Sequence, residues 1–529
     1  MGVLDSLGIE HMVTGAVASS MQGALRVYEL QAGCSMRITW TGGPPGSRSL
    51  PCSSACAARL TRSNRRVNRG VITSSLYLES GLVRSIACKE KGMADSAGEV
   101  KIGLLGCGTI GSGVFHLLRK NAAGLTEAAG RPLALESILV KELEEPRPFL
   151  VDRTRMTTDA KQALGDEEID VYVEVMGGLE PARTYALEVL SRGKSFVTSN
   201  KELVAHHGRE LMEAAAACAA QVKFEAAVGG GIPLIRPLEE SLGGDNIRKM
   251  MGIVNGTTNY ILTRMSVEGS TYSRALAEAQ KLGYAEADPA ADVSGTDAAS
   301  KLAILCSIAF KAGFTTDQVY REGIQRVRPE DLENARELGY AVKLLAIAGN
   351  EAGGVSARVH PTMIPLEHPL ASISGNFNAI FVIGESVGEL MFYGQGAGSL
   401  PTATAILGDV VNIVRNLCRP PVSRRSYWSR PGEVVPMDDV ATRFYTVLKV
   451  MDRPGVLAQI AGVFGDNEVS LESVVQKGIG DSAEIVLITH KVTEKNFGAA
   501  RAGLEGLEVV QEIPSVIRVE GAGGAAGSV

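Results

Sequence analysis

The sequence predicts an α/β protein in three parts: a doubly wound parallel sheet, a second α/β domain, and a C-terminal ferredoxin-like βαββαβ module. Three observations predict it. An apolar strand over residues 100–105 runs into Gly106, Gly108 and Gly111 and then into the apolar helical stretch Val114-Phe115-His116-Leu117-Leu118. Strand-like and helix-like segments then alternate to about residue 226, the pattern of parallel strands with crossover helices. Beyond a Pro-rich stretch, residues 442–519 read strand, helix, strand, strand, helix, strand.

The glycines of the first turn each have a physical task. Gly106 permits a tight turn, Gly108 lets a pyrophosphate approach the backbone, and Gly111 allows close packing of helix on strand. The helix starting near Thr109 offers unpaired N–H groups and the positive end of its dipole. Together these make a dinucleotide-binding turn of the Rossmann type. The next strand, 135–140, ends at Lys141, Glu142 and Arg147. An acid at this tip suits the ribose hydroxyl of NAD and a base the 2′-phosphate of NADP, so the choice stays open with a lean to NADP. Residues 170–175 form a near-continuous apolar run typical of a buried parallel strand. A helix over 181–191, a strand over 195–200, a helix over 210–220 and a strand over 221–226 complete the alternation. From 234 to 398 long helices mix with strands over 248–255, 354–363 and 379–384, a separate substrate and oligomerisation domain. A helix beginning near Thr402 returns to the nucleotide domain, so that residues 399–418 complete its 99–233. Residues 419–441 form a linker and 442–520 the last module.

Composition limits the functions open to the chain. Its 529 residues exceed one ordinary core. With 53 Lys+Arg against 59 Asp+Glu and no basic run, neither nucleic acid nor a membrane surface is implied as a partner. No apolar stretch is long enough to span a bilayer. Eight cysteines without paired Cys-x-x-Cys spacing read as reduced thiols of a cytoplasmic protein. Residues 1–92 differ, with 11 Lys+Arg against 5 Asp+Glu and four of the cysteines. Little fixed structure is expected there. The segment reads as an organelle leader or as sequence upstream of a natural start at Met93, and Asp5, Glu10 and Glu29 favour the second account.

Three constellations carry chemistry. Asn200-Lys201 lies just past a strand's carboxyl end, where open α/β sheets bind ligands. The segment from Glu225 through Gly229-Gly230-Gly231 to Pro233 can turn carbonyls onto one centre, suited to a hard cation, or can act as a hinge. Glu286, Asp288, Asp292, Asp297 and Lys301 form the most polar cluster. Asp297 and Lys301 are four apart, share a helix face and can pair. Such a pair in a water-poor cleft can protonate a developing alkoxide.

Taken in order, these motifs, with Asn255-Gly-Thr-Thr-Asn-Tyr-Ile-Leu262, Gly283-Tyr-Ala-Glu286-Ala-Asp-Pro289 and Gly396-Ala-Gly398-x-x-Pro-Thr-Ala403, resemble homoserine dehydrogenase over about residues 100–410. The last module, with Asp452-Arg453-Pro454-Gly455-Val456-Leu457, looks like an ACT domain, an amino-acid-binding regulatory fold. The resemblance implies reversible, NAD(P)H-dependent reduction of L-aspartate 4-semialdehyde to L-homoserine in threonine, methionine and isoleucine biosynthesis. It implies Lys301 as general acid/base, and Glu286 and Asp297 as substrate ligands. For the cofactor it implies Gly106, Gly108, Thr109, Ile110, Gly111, Lys201, Gly283 and Gly398, with NADP expected and NAD possible. It further implies a Na⁺ site at Glu225 and the carbonyls of Val228, Gly230 and Ile232, threonine as a regulatory ligand, and a homodimer or homotetramer. The alternatives are a catalytically silent amino-acid sensor and a dehydrogenase for another small aldehyde.

Overall fold

The computed structural model describes residues 24–31, 35–41, 48–51, 98–351, 353–417, 427–478 and 482–521. Residues 1–80 and 81–529 form two compact units. In the first, β1 (Ala24–Gln31), β2 (Ser35–Thr41) and β3 (Arg48–Pro51) build an antiparallel sheet in that order. Over these spans the expectation of little fixed structure is corrected. Leu25 and Val27, then Met36, Ile38 and Trp40, alternate with polar residues at the strand period of two, a pattern masked by the Ser/Arg-rich surroundings. The remainder of 1–92, Met93, and the Pro420-Pro421 part of the linker lie outside the described residues.

The second unit opens with β4 (Val100–Leu105), α1 (Thr109–Lys120), α2 (Ala122–Ala129), β5 (Leu133–Leu139), β6 (Met156–Thr157) and α3 (Ala160–Gly165). β7 (Val171–Glu174), α4 (Ala182–Ser191), β8 (Ser195–Thr198), α5 (Lys201–Ala217) and β9 (Val222–Lys223) follow. All six strands are parallel, in the order β6-β5-β4-β7-β8-β9. Helices cover both faces, so Ile102, Leu104, Val171, Val173, Phe196 and Val197 are all buried. The chain reverses direction across the sheet between β4 and β7, which opens a crevice at their carboxyl ends. α5 starts at Lys201 rather than near residue 210, because the Asn200 side chain accepts the Leu203 N–H at 3.1 Å and caps it there.

Next come β10 (Ile247–Ile253), α6 (Gly256–Glu268), α7 (Tyr272–Lys281), α8 (Ala290–Val293) and α9 (Thr296–Ala309). β11 (Tyr320–Arg321), α10 (Pro329–Glu337), β12 (Tyr340–Glu351), β13 (Gly354–Pro365), β14 (Phe377–Gly384), β15 (Gly388–Gln395) and α11 (Ser399–Asn416) complete this part. α11 packs back on α1, so closely that a Cβ on Gly113 would lie 2.4 Å from Ser399 Oγ. β12 and β15 are strands absent from the sequence expectation. β12 is apolar on both faces and Ala-rich, which reads equally as buried helix, and β15 is a largely exposed edge strand.

The last part holds β16 (Ala441–Met451), α12 (Val456–Asp466), β17 (Leu471–Lys477), β18 (Ser482–Thr489), β19 (Val492–Thr493), α13 (Glu494–Glu505) and β20 (Val510–Val519). Its sheet continues the preceding one: β13 pairs with β20 in parallel, giving the order β15-β14-β10-β12-β13-β20-β16-β18-β17. Among the described residues no helix is long and apolar enough to cross a membrane.

Candidate active site

At the glycine turn, Gly106 has φ +97° and its N–H reaches Leu139 O at 2.9 Å. A Cβ on Gly111 would lie 2.4 Å from Gly106 O, so helix and strand pack too tightly for any side chain. A Cβ on Gly108 would meet nothing within 4 Å, so the middle glycine faces open space. Gly108 caps α1 without a side-chain hydrogen bond, and the first turn carries no acid. The N–H groups of Thr109, Ile110 and Gly111 therefore keep the anion-seeking character of a helix start. The Arg147 guanidinium folds back over this turn, donating to Cys107 O at 3.0 Å, Glu142 O at 2.8 Å and Glu145 O at 2.7 Å. That clamp joins the β5 tip to the glycine turn.

On the opposite side of the crevice, β7 and β8 deliver a lysine. The buried Glu174 carboxylate accepts the N–H groups of Met176 (2.7 Å) and Gly177 (3.2 Å) and the Thr198 hydroxyl (2.6 Å). Burial pushes this carboxyl up, and these bonds restore only part of the shift. Thr198 Oγ1 in turn accepts the Asn200 N–H at 2.9 Å, and Asn200 Nδ2 donates to Gly178 O at 2.6 Å. The turn is thus fixed on several sides, with Lys201 as the first residue of α5.

Lys201 and Lys301 meet on one carboxylate. Lys201 Nζ lies 3.1 Å from Asp297 Oδ1 and Lys301 Nζ lies 2.8 Å from Asp297 Oδ2. Asp297 is 8% exposed. Burial alone would raise its pKa, but Lys301, Lys201 and the Asn255 amide outweigh burial and hold the carboxyl well below the usual range. Burial lowers the Lys201 ammonium pKa, and Asp297 more than reverses the effect. Lys301 also donates to Val254 O at 2.7 Å. Two of its three donors are thereby fixed and one is left for a third partner. Asn255 caps α6 through Oδ1, 2.9 Å from the Thr258 N–H, while its Nδ2 reaches Asp292 Oδ1 at 2.7 Å and Asp297 Oδ2 at 2.9 Å.

The structure therefore gathers Lys201, Asp297 and Lys301 at the end of the parallel sheet. It ties Asp292 of the polar cluster to the same centre and adds Asn255 and the Val254 carbonyl, which the sequence reading of the site had not singled out. Asn255 stood within a quoted motif, and its place directly before a helix start was the available signal. Gly398 (φ +129°) caps α11, whose first residue, Ser399, donates to Thr109 O in the first turn of α1. Gly283 (φ +75°) and Glu286 are both exposed, and the described contacts do not join Glu286 to the lysine pair.

The Glu225 segment makes a close-packed corner. The Glu225 carboxylate is buried and accepts the N–H groups of Leu234 (2.6 Å), Ile235 (2.8 Å) and Arg236 (2.9 Å). Both its oxygens are engaged by these backbone donors, which brace the turn. Among the described residues nothing donates to the carbonyls of Val228, Gly230 or Ile232, all three in buried residues. A Cβ on Gly230 would lie 2.5 Å from Gly396 O, and one on Gly231 2.7 Å from Pro401 Cβ. These glycines are needed for close approach to the loop at Gly396 and to the first turn of α11. No group of three or more His, Cys, Asp or Glu capable of holding a metal occurs among the described residues.

Residues 106–225 match the model of the homoserine dehydrogenase NAD-binding domain, residues 233–411 that of homoserine dehydrogenase itself, and residues 445–508 that of the ACT domain. A homoserine dehydrogenase of Synechocystis is 46% identical over 437 residues, 79% of this chain and 99% of that one. That of Bacillus subtilis is 42% identical, over 80% and 99%. The crystal structure of a homoserine dehydrogenase from Thiobacillus denitrificans superposes with TM-score 0.76 at 40% identity, covering 80% of this chain and 99% of the other. A hyperthermophilic archaeal homoserine dehydrogenase in complex with NADPH matches at TM-score 0.51 and 28% identity, over 60% and 98%. The chain belongs to the homoserine dehydrogenase family and carries a nicotinamide-cofactor domain and an ACT domain.

Proposed function

We propose that the chain interconverts L-aspartate 4-semialdehyde and L-homoserine with NADP, that Lys301 is the acid/base, and that Asp297 and Lys201 set its charge and position. The observation that carries this reading is the pairing of Lys201 and Lys301 on the buried Asp297 carboxylate at the crevice of the parallel sheet. Bound nicotinamide supplies the hydride acceptor for homoserine oxidation and the donor for the reverse direction. Lys301 ammonium gives a proton to the aldehyde oxygen in reduction, and the neutral amine takes it from the hydroxyl in oxidation. The Val254 carbonyl and Asp297 fix two of its N–H groups, so the third faces the reacting oxygen. Asp297, engaged with two lysines and Asn255, acts as a positioning residue, and Glu286 binds the substrate ammonium from the exposed 283–289 loop. The helix start at Gly108–Gly111 holds the pyrophosphate, and Gly283 and Gly398 flank the nicotinamide.

The relative solved with NADPH supports NADP over NAD, and Lys141 and Arg147 stand at a β5 tip that also carries Glu142, Glu144 and Glu145. Three buried carbonyls without donors suit Na⁺ in a structural role, with Glu225 bracing the turn rather than ligating through its side chain. The ACT module supports control by threonine. Both ends of the long sheet are open edges carrying exposed apolar residues, Met391 and Tyr393 on β15 and Val474 and Val475 on β17, which favours a homodimer or homotetramer. A cytoplasmic setting fits the free thiols Cys107, Cys218 and Cys306. Initial rates with L-homoserine and NADP⁺ or NAD⁺, in sodium or potassium chloride and with or without L-threonine, test each part. NADP⁺ is expected to be preferred, sodium to stabilise and threonine to inhibit. Turnover of other small hydroxy acids but not of homoserine would refute the reading.

A further inference from the structure

One buried acceptor beside the catalytic strand end has no donor. Asn378 of β14 is 1% exposed, and its Oδ1 makes no hydrogen bond among the described residues. An unpaired carboxamide oxygen in a close-packed place is costly, so its position asks for a reason. Asn378 adjoins Ala379, the register partner of Ile253, and so stands level with Val254, whose carbonyl holds Lys301. Ile380 and Val382 share its strand face by the period of two, and they pack in the core that contains Val254, Ile232 and Leu302 of α9. The Asn378 side chain therefore lies on the face of the sheet covered by the helix of Asp297 and Lys301.

Against it lies the segment that leads into α11. A Cβ on Gly396 would lie 2.0 Å from Asn378 Nδ2 and 2.7 Å from Oδ1, so the amide rests directly on the Gly396 backbone. A Cβ on Gly230 would lie 2.5 Å from Gly396 O and 3.0 Å from Ala397 N. The Gly396–Ala397 peptide thus touches both the Asn378 amide and the Gly230 turn. Among the described residues nothing accepts from the N–H of Gly396 or of Ala397. An acceptor without a donor adjoins two donors without an acceptor. Glycines flank Ala397 on both sides, and Ala397 and Gly398 are exposed, so this peptide can turn at low cost.

We propose that Asn378 is a positioning residue for the reaction: its Oδ1 accepts the Gly396 or Ala397 N–H as this segment closes on the cofactor, which ties Gly398 to the strand end that holds Lys301. The proposal rests on the reading that Gly398 flanks the nicotinamide. The bond is unmade in the conformation described, so it belongs to a second arrangement of the segment, and a cofactor lying against Gly398 selects that arrangement. Asn378 touches neither substrate nor cofactor and acts through the backbone of residues 396–398. Its effect is to set the distance between the hydride-carrying ring and the proton-carrying ammonium, which a reaction that moves both must hold fixed.

Amide hydrogen exchange of the full chain with and without NADP⁺ tests this, on the wild type, Asn378→Leu and Asn378→Asp, beside the Kd for NADP⁺ and the melting temperature of each protein without cofactor. Leucine fills the same space without an acceptor, and aspartate keeps the oxygen. NADP⁺ is expected to slow exchange at Gly396 and Ala397 in the wild type and in Asn378→Asp but not in Asn378→Leu. The Kd of Asn378→Leu is expected to rise about three- to tenfold, while its melting temperature without cofactor holds or rises. A lower melting temperature with an unchanged Kd makes Asn378 a part of the fold alone and overturns the proposal. NADP⁺ binding that leaves these two amides unchanged in the wild type, or slows them equally in Asn378→Leu, also overturns it, while leaving the dehydrogenase reading standing. A wild type that binds no NADP⁺ overturns both.

Discussion

Asp297 takes two ammonium groups and an amide on one nearly buried carboxylate. Its carboxyl is depressed below the ordinary 3.8, so its contribution to stability is present above that value and is lost as pH falls through the lower folded value. Asp297→Asn removes the counter-charge and leaves two lysines facing each other, which costs about 3–5 kcal/mol for a broken buried pair. Lys201 then feels burial without its partner, so its ammonium pKa falls. The expected outcome is a loss of kcat/KM of about 10²-fold or more and an alkaline limb of the pH–rate profile displaced to lower pH. A pH profile of the variant, with its melting temperature followed into acid, checks both. An unchanged alkaline limb would show that the Lys201 ammonium does not depend on this carboxylate.

At the scale of elements, the glycine turn separates packing from ligand binding. Gly111→Ala drives a Cβ against the Gly106 carbonyl and is expected to lower the melting temperature, by about 1–3 kcal/mol of overpacking. Gly108→Ala meets no protein atom and is expected to keep the fold while raising the KM for NADP⁺. Thermal melts beside cofactor titrations check the pair. This turn was legible in the sequence because its chemistry is local: strand, three glycines and helix adjoin in the chain. The Asp297–Lys301 pair was legible for the same reason, being one helical turn apart. Lys201 against Asp297, and Asn255 against both aspartates, were not, because they join elements that only the folded crevice brings together. β12 was missed because a strand buried on both faces has no alternation to read, and the helix α5 was placed late because its cap, Asn200, was read as ligand chemistry rather than as a start signal.

Across the whole molecule, the nucleotide domain, the catalytic sheet and the C-terminal module are not beads on a linker. The parallel pairing of β13 with β20 continues one sheet through the ACT module, and α11 returns to close the nucleotide domain. At that closure Asp409 accepts the Glu225 N–H at 2.8 Å and lies 3.3 Å from Arg236. Burial pushes its carboxyl up to about 7, beyond what these partners restore. A raised carboxyl contributes stability that is full below its unfolded value of 3.8 and is lost as pH rises through about 7. Asp409→Asn is therefore expected to flatten the fall of melting temperature with rising pH across that window. Calorimetry of both proteins as a function of pH checks this, and parallel curves would contradict it.

The central claim is that Lys301 moves the proton in a homoserine dehydrogenase reaction. Its most direct test is the absorbance of reduced nicotinamide when the full chain is mixed with L-homoserine and NADP⁺, for wild type and Lys301→Ala, with cofactor binding measured on both. The account predicts reduction by the wild type and a rate about 10²- to 10⁴-fold lower in a variant that still binds NADP⁺; equal rates in the two proteins would contradict it.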